Sequence, residues 1–263
     1  MHIHFLDPYQ DGKSLIHRLD PRVKLGLIVA FILTTALSPN GAWAVYILLF
    51  ALAISIELLT DLGVGFYLKR AFLATPFILA ALPLLVTVKG TALLNLPFAI
   101  TISAEGLIRF LSIALKSWIS VQMAVLLAST TPFPDILIAL RAGRLPSLLV
   151  AIIGLMWRYL FVLADEALRL IRARQARSGE SPDSQYRPGG SVFWRARVTG
   201  GMAGSLFLRS LERSDRIYAA MLSRGYDGEI RSLPRPGISA SGWAVLILGL
   251  MLLAILLVIG LLL

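Results

Sequence analysis

Five long apolar runs, separated by short polar segments, dominate the hydrophobic pattern of the chain. They cover residues 25–37, 42–59, 71–88, 107–129 and 243–263. A helix that crosses a bilayer needs about 20 predominantly apolar residues, and these runs reach or approach that length once their neighbours are added. The pattern therefore predicts an all-α polytopic membrane protein with about five transmembrane helices.

The third run carries Pro76 and Pro83. Proline has no N–H to donate, so we expect a kinked helix, which a membrane protein tolerates because neighbouring groups satisfy the freed carbonyls. Residues 60–65 before this run are predicted to be a loop. Residues 89–103 after it are also predicted to be a loop, partly re-entrant.

Two long helices of mixed character are expected between the fourth and fifth apolar runs. Pro146 opens the first, at the N1 position that proline favours, and its apolar half (148–163) leads into a charged half that ends at Arg177. The second covers residues 192–222 and is stopped by Gly225. A short basic helix at 135–144 precedes both.

The apolar half at 148–163 is long enough to cross a bilayer, so five-span and six-span models both remain open. The distribution of positive charge favours five spans with a cytoplasmic N-terminus, because Lys69, Arg70 and the arginines of 135–235 then all lie inside. A sixth span would place the arginines of 169–231 on the side opposite to Arg141 and Arg144.

Composition supports the membrane interpretation. The chain has 263 residues, of which 57% are hydrophobic, and a formal net charge of +10. Such a charge in a soluble protein raises nucleic acid as a partner, but here the arginines lie beside apolar runs, where they set topology. We therefore expect no nucleic-acid partner. The chain has no cysteine, which excludes disulfides and thiolate metal sites.

Two short motifs suggest ligand chemistry, and both have simpler explanations. Gly12, Lys13 and Ser14 form a GKS, but a nucleotide P-loop needs a glycine at the position of Asp7 and a preceding strand. A chance match is the better interpretation. His2 and His4, with His17 further on, could ligate a metal, but no carboxylate cluster completes a site and a solvated tail is favoured.

Charged residues inside helices offer two further candidates. Asp165 and Glu166 are adjacent on a helix and point in different directions, so ion pairing with Arg169 on the same helix is favoured over acid–base chemistry. Lys116 lies within the fourth apolar run, where an ionisable group is often functional. It is near enough to one end of the run to extend towards the interface instead.

The strongest functional signal is a pair of similar helix ends. Ala176-Arg177-Ser178 closes the first long helix, and Ser223-Arg224-Gly225 closes the second. A projecting arginine with small neighbours can insert into a groove and pair with a carboxylate or with cap carbonyls. A basic terminus that complements the helix macrodipole is the alternative for either end alone. Two consecutive copies favour docking.

With these elements, the chain resembles the transmembrane T component of energy-coupling factor (ECF) transporters, the CbiQ/EcfT family. Residues 17–24 resemble the family's His-Arg-Leu-Asp-Pro-Arg-x-Lys signature, and residues 156–166 are similar to the version found in cobalt and nickel members. The two arginine elements resemble the family's Ala-Arg-Gly motifs. In the first, serine follows Arg177 and glycine comes one place later; in the second, serine precedes Arg224.

The resemblance implies a scaffold and energy-coupling subunit rather than an enzyme. It implies two ABC-type ATPase partners, which bind ATP and Mg²⁺, so that this chain has no cofactor and no metal of its own. It also implies a substrate-binding S component of cobalt type and allows a small accessory membrane subunit. ATPase docking would fall on Ala176, Arg177, Ser178, Ser223, Arg224 and Gly225, and the platform for the S component on Leu148, Ile152, Leu155 and Tyr159.

The resemblance further implies three parts. These are a four-span membrane domain (1–130), a cytoplasmic coupling-helix domain (131–235) and a C-terminal transmembrane helix (236–263), in a bacterial cytoplasmic (inner) membrane. Cobalt is the expected cargo, with nickel or a vitamin as alternatives. A self-contained secondary permease is the competing function class, although the sequence has no convincing internal repeat and Lys116 alone as an intramembrane candidate.

Overall fold

The computed structural model describes residues 8–88, 91–96, 100–177, 191–228 and 237–262. These residues are mostly helical, which confirms the all-α prediction. The helices are α1 (Leu15–Arg18), α2 (Pro21–Leu37), α3 (Trp43–Leu58), α4 (Val64–Ala71), α5 (Thr75–Ala80), α6 (Leu84–Thr87), α7 (Ala104–Thr130), α8 (Phe133–Ala142), α9 (Ser147–Arg177), α10 (Val192–Leu222) and α11 (Ala240–Leu262). A 3₁₀ turn, Phe72–Ala74, joins α4 to α5.

The described residues form two compact units. One, the helical bundle, contains α1–α8 and α11. The other, the helix pair, contains α9 and α10 and lies within residues 143–234. Each unit has its own internal contacts, and each is described separately below.

Four helical stretches of the described chain are long and apolar enough to cross a membrane. They are Val64–Thr87, Ala104–Thr130, Ser147–Arg177 and Ala240–Leu262. Helices α2 and α3 are shorter, at 17 and 16 residues, which corresponds to about 25 Å of helix against a hydrocarbon core of about 30 Å. The stretch Ser147–Arg177 passes this test of length and composition, so five and six spans both remain compatible with the helices.

The third predicted run begins earlier than expected and is broken into pieces. Helix α4 starts at Val64, so Lys69 and Arg70 lie inside it and not in the connecting segment before it. The 3₁₀ turn precedes Pro76, and a turn at 81–83 separates α5 from α6. Bonds between residues three apart, such as Leu84 N–H to the Ala81 carbonyl, replace the α-helical bonds around Pro83. The predicted kink is therefore present as two interruptions.

The predicted loop at 89–103 contains two antiparallel strands, β1 (Ala92–Leu96) and β2 (Ile100–Ser103). Leu96 pairs with Ile100 and Asn95 with Thr101, and the register shifts between Ala92 and Leu94. Ser103 then caps α7, its side chain accepting a hydrogen bond from the Gly106 N–H. The prediction of a loop was wrong for the part that the structure describes.

Helices α2 and α11 run in parallel and approach closely at glycines. A Cβ added to Gly26 would lie 3.6 Å from Leu246, and one added to Gly249 would lie 2.5 Å from the tip of Leu27. Small residues let membrane helices pack backbone to backbone, because no side chain separates them. This contact joins the N-terminal and C-terminal parts of the bundle into one core with α3 and α7.

Two lysines connect α2 to α7 at opposite ends. Lys24, at the start of α2, is 3% exposed and its Nζ donates to the Thr130 carbonyl at 3.0 Å, where α7 ends. Lys116 on α7 donates to the Ser38 carbonyl at 2.5 Å, where α2 ends, and to Asn40 Oδ1 at 3.3 Å. Each ammonium thus caps carbonyls that a helix C-terminus leaves without an intrahelical partner. Lys116 therefore makes a structural contact.

We expect Lys116→Met to lower the free energy of unfolding by about 1.5–3 kcal/mol, because it removes a charged hydrogen bond from a partly buried carbonyl. Thermal melting of the detergent-purified protein measures the change. Lys69→Met is the matched control, since Lys69 is exposed and should change stability by less than about 0.5 kcal/mol. Equal melting temperatures for both variants would show that the Lys116 contact adds nothing to stability.

Candidate functional site

Helices α9 and α10 pack side by side and run in opposite directions where they touch. Arg174 donates to the Thr199 hydroxyl at 3.0 Å, near the end of α9 and the beginning of α10. Glu166, two turns earlier on α9, contacts Arg213, well further along α10. Along these contacts the residue numbers decrease on α9 while they increase on α10. The two helices are therefore antiparallel in this region.

Glu166 forms the main polar contact of the helix pair. Its carboxylate lies 2.8 Å from Arg213 and 3.7 Å from Arg209, and its side chain is 15% exposed. The prediction that Glu166 pairs with Arg169 on its own helix was wrong. Arg169 instead donates through Nε to the Asp165 backbone carbonyl at 3.4 Å. The largely buried carboxylate makes a short, charge-assisted hydrogen bond to Arg213 and a longer ion pair with Arg209, so this contact joins the two helices.

The end of α10 is shaped by glycine, as predicted. Gly225 has a φ of 78°, a conformation that residues with a Cβ rarely adopt. Its N–H bonds the Leu222 carbonyl at 2.9 Å, and the Tyr226 N–H bonds the Met221 carbonyl at 3.0 Å. These two bonds form a Schellman motif. They hold the backbone of Arg224 in a defined position at the exposed end of the helix.

Arg177 is the last residue of α9, and both it and Ala176 are exposed. Ser178 lies outside the described residues. Arg224 and Ser223 are exposed at the end of α10, where the Ser223 hydroxyl donates to the Ala220 carbonyl at 3.0 Å. Neither Arg177 nor Arg224 has a side-chain hydrogen bond or ion pair to another described residue. Because the helices are antiparallel, the two arginines lie towards opposite ends of the pair.

The four residues predicted to form a platform recur at helical spacing along one face of α9. Leu148 is 55% exposed and Ile152 is 51% exposed, whereas Leu155 and Tyr159 are half-buried. Such a row of apolar side chains on an isolated chain is typical of a surface that another protein or lipid covers.

The residues of the other candidate sites that the structure describes cap a helix or make local hydrogen bonds. Ser14 caps the four-residue helix α1 and the Lys13 N–H donates to Asp61 Oδ2 at 2.9 Å, with no strand in the described residues before them. His17 Nδ1 lies 2.6 Å from the Ser14 hydroxyl and Nε2 lies 3.2 Å from the Gln10 carbonyl. His2 and His4 lie outside the described residues. Within the described ranges, no three His, Asp or Glu residues are grouped to hold a metal.

The signature at 17–24 also has clear local roles. Asp20 caps α2 by accepting from the Arg22 N–H at 2.8 Å, Pro21 occupies the first turn, and Lys24 makes the contact to α7. These residues start a helix and tie it to its neighbour. They are consequently structural residues of the bundle.

The fold defines the chain as a polytopic α-helical membrane protein with an exposed, arginine-rich helix pair. Residues 12–235 match the family model described as cobalt transport protein, CbiQ. That match covers most of the chain, so the protein belongs to the CbiQ family of transport components.

Three relatives show how far the similarity extends. The cobalt transport protein CbiQ of Rhodobacter capsulatus is 30% identical over 177 residues, covering 66% of this chain and 67% of that protein. The ECF transporter transmembrane protein EcfT of Lactococcus lactis is 27% identical over 230 residues, 84% and 83% of the two chains. An uncharacterised protein of Methanocaldococcus jannaschii is 27% identical over 259 residues, 96% and 85%. A role as an ECF-type membrane component or in cobalt transport follows.

We expect Glu166→Gln to destabilise the contact between α9 and α10 by about 1–3 kcal/mol, because it leaves Arg213 without its charged partner. A double-mutant cycle with Arg213→Gln, read by thermal melting, isolates the pair. Glu212→Gln is the matched control: Glu212 and Arg216 are 4.0 Å apart, each 71% exposed, and exposed pairs contribute little. A coupling energy near zero for Glu166 and Arg213 would contradict the assignment.

Proposed function

We propose that this chain is the T component of an ATP-driven ECF importer, linking two ATPase subunits to a substrate-binding S component. The observation that carries the proposal is the placement of Arg177 and Arg224 at opposite ends of one ion-paired helix pair. Each end is exposed and cationic, and each can enter an acidic or carbonyl-lined groove of a separate partner. The names of the EcfT relatives support the same assembly.

The helix pair would carry force between these partners. ATP and Mg²⁺ bind to the ATPases, and closure of the ATPase dimer moves the two docked arginines relative to each other. The contact of Glu166 with Arg213 holds α9 to α10 during that movement, so the helices turn about it instead of separating. The face that carries Leu148 and Ile152 then transmits the rotation to the S component, which tilts and releases its cargo inward.

Cobalt is the proposed cargo, with nickel next and a vitamin as the third candidate. The Rhodobacter capsulatus relative is named for cobalt transport, and residues 156–166 are similar to metal-type members. The EcfT relatives name no cargo. Because an S component would bind the substrate, uptake of Co²⁺, Ni²⁺ and vitamins by the reconstituted complex distinguishes the three.

Replacing Arg177 and Arg224 together by glutamate should abolish ATP-dependent uptake and release the ATPases, because a carboxylate reverses the charge at both docking points. Co-purification and uptake in proteoliposomes measure the two effects. The control variant carries Arg169→Glu and Arg216→Glu, two exposed arginines that lie eight residues before Arg177 and Arg224 on the same helices. It should retain both the ATPases and uptake.

Normal uptake by the Arg177 and Arg224 variant would rule out the docking mechanism. Uptake without ATP by the purified chain alone in liposomes would instead establish a secondary permease. Since no carboxylate cluster surrounds Lys116 in the described residues and its ammonium caps a helix end, we give that alternative second place.

We also propose five spans in a bacterial cytoplasmic membrane, with the N-terminus and the helix pair in the cytoplasm. The chain has no cysteine, so a single introduced thiol reports on its own position. With Gly143→Cys and Gly190→Cys, a membrane-impermeant maleimide added to intact cells should label neither, and both should react after permeabilisation. Labelling of one site alone in intact cells would establish that α9 crosses the membrane.

A further inference from the structure

A cavity of about 190 Å³ lies inside the helical bundle, between α2, α3, α7 and α11. Its wall is almost entirely carbon. Phe31, Leu52, Met123 and Leu253 are among the residues that line it, and Lys24 is the single charged residue of the wall. The Lys24 ammonium donates a hydrogen bond to the Thr130 carbonyl at the end of α7.

Water is a poor occupant of this cavity. An ordered internal water needs two to four polar partners, and an apolar cavity of about 150 Å³ lined by Leu, Ile and Phe stays dry and accepts apolar ligands instead. The cavity in the bundle is similar in size and chemistry. An apolar occupant therefore fits the wall better than solvent does.

The cavity is open on the side of α11. Val245 and Leu252 both line it and are 42% and 44% exposed, so part of its mouth lies on the outer surface of the bundle. Helix α11 is one of the helices long and apolar enough to cross a membrane. At that depth the outer surface meets lipid hydrocarbon, so acyl chains are present at the mouth.

The lining of the cavity and the charge near it match a lipid chain that enters through the opening beside α11. The lining residues on α2 extend from Lys24 to Phe31, about 10 Å of helix. Ile16 and Leu19 line the same end of the cavity as Lys24, and the cationic residues Arg18 and Arg22 neighbour them in sequence. Basic residues at a membrane interface attract phosphate headgroups.

We propose that this cavity holds one acyl chain of a bilayer phospholipid, with its phosphate near Arg18 and Arg22. The chain fills the space that side chains leave between the pair α2–α11 and the pair α3–α7. It completes the packing of the bundle in the way that a buried side chain does in a core without cavities. This site is independent of the docking of ATPases.

Filling the cavity with protein tests the proposal. In the variant Leu52→Phe with Ile56→Phe, the larger side chains on α3 occupy part of the cavity and leave less space for the chain. Native mass spectrometry of the full-length protein after detergent washing counts retained lipid, and we expect roughly tenfold less phospholipid, as the loss of about two buried methylenes predicts. The matched control is Ile47→Phe, also on α3 but 67% exposed, which should retain wild-type lipid.

A second measurement uses the wild-type protein, so that a folding defect in the variant cannot decide the outcome. A phospholipid with a photoactivatable diazirine in its acyl chain should label the cavity residues Phe31 and Leu253, which are 2% and 5% exposed. A diazirine fatty acid tests the free chain. If only the fatty acid labels these residues, the occupant is a free fatty acid and the assignment to a phospholipid is wrong. If labelling is confined to outward-facing residues such as Ile47 and Leu248, the proposed site is wrong. Unchanged lipid retention by a folded double variant would overturn it as well.

Discussion

The bundle depends on reciprocal capping between α2 and α7. Lys24 bonds the last carbonyl of α7, and Lys116 bonds the carbonyl that follows α2. Fourteen residues separate the two connected positions on each side, from Lys24 to the residue that follows α2 and from Lys116 to the end of α7, which is about 21 Å at 1.5 Å per residue. Register and tilt of the two helices are thus set at two points. Helices α3, α8 and α11 pack on a pair whose geometry is already defined.

Much of the helical architecture was predictable because it follows from local properties. The bounds of α10 (Val192–Leu222) and the end of α9 at Arg177 follow from charge, periodicity and a glycine stop. The start of α4 was missed because Lys69 and Arg70 suggested a polar connection, whereas the apolar residues around them pack against α7. The strand pair was missed because β1 lacks a regular alternation of apolar and polar positions, and the alternation in β2 (Ile100–Ser103) covers only four residues.

For the candidate site, the sequence predicts where the two arginine-bearing helix ends lie. It does not predict the ion pair that joins the two helices. Glu166 and Arg213 are far apart in the chain, and nothing in the pattern selects one arginine of α10 over another. Local spacing favoured Arg169, which is close in sequence. Likewise the cavity arises only when four helices meet, so no single helix carries a signal for it.

The ion pair between the helices also has a mechanical meaning. Equal numbers of residues separate Glu166 from Arg177 on α9 and Arg213 from Arg224 on α10, about 16 Å of helix in each case. Because the helices are antiparallel, these two arms extend in opposite directions from one fulcrum. A lever with equal arms neither amplifies nor reduces a displacement. Equal and opposite forces applied across its two ends would therefore contribute equal torque, and the net motion would be rotation without translation.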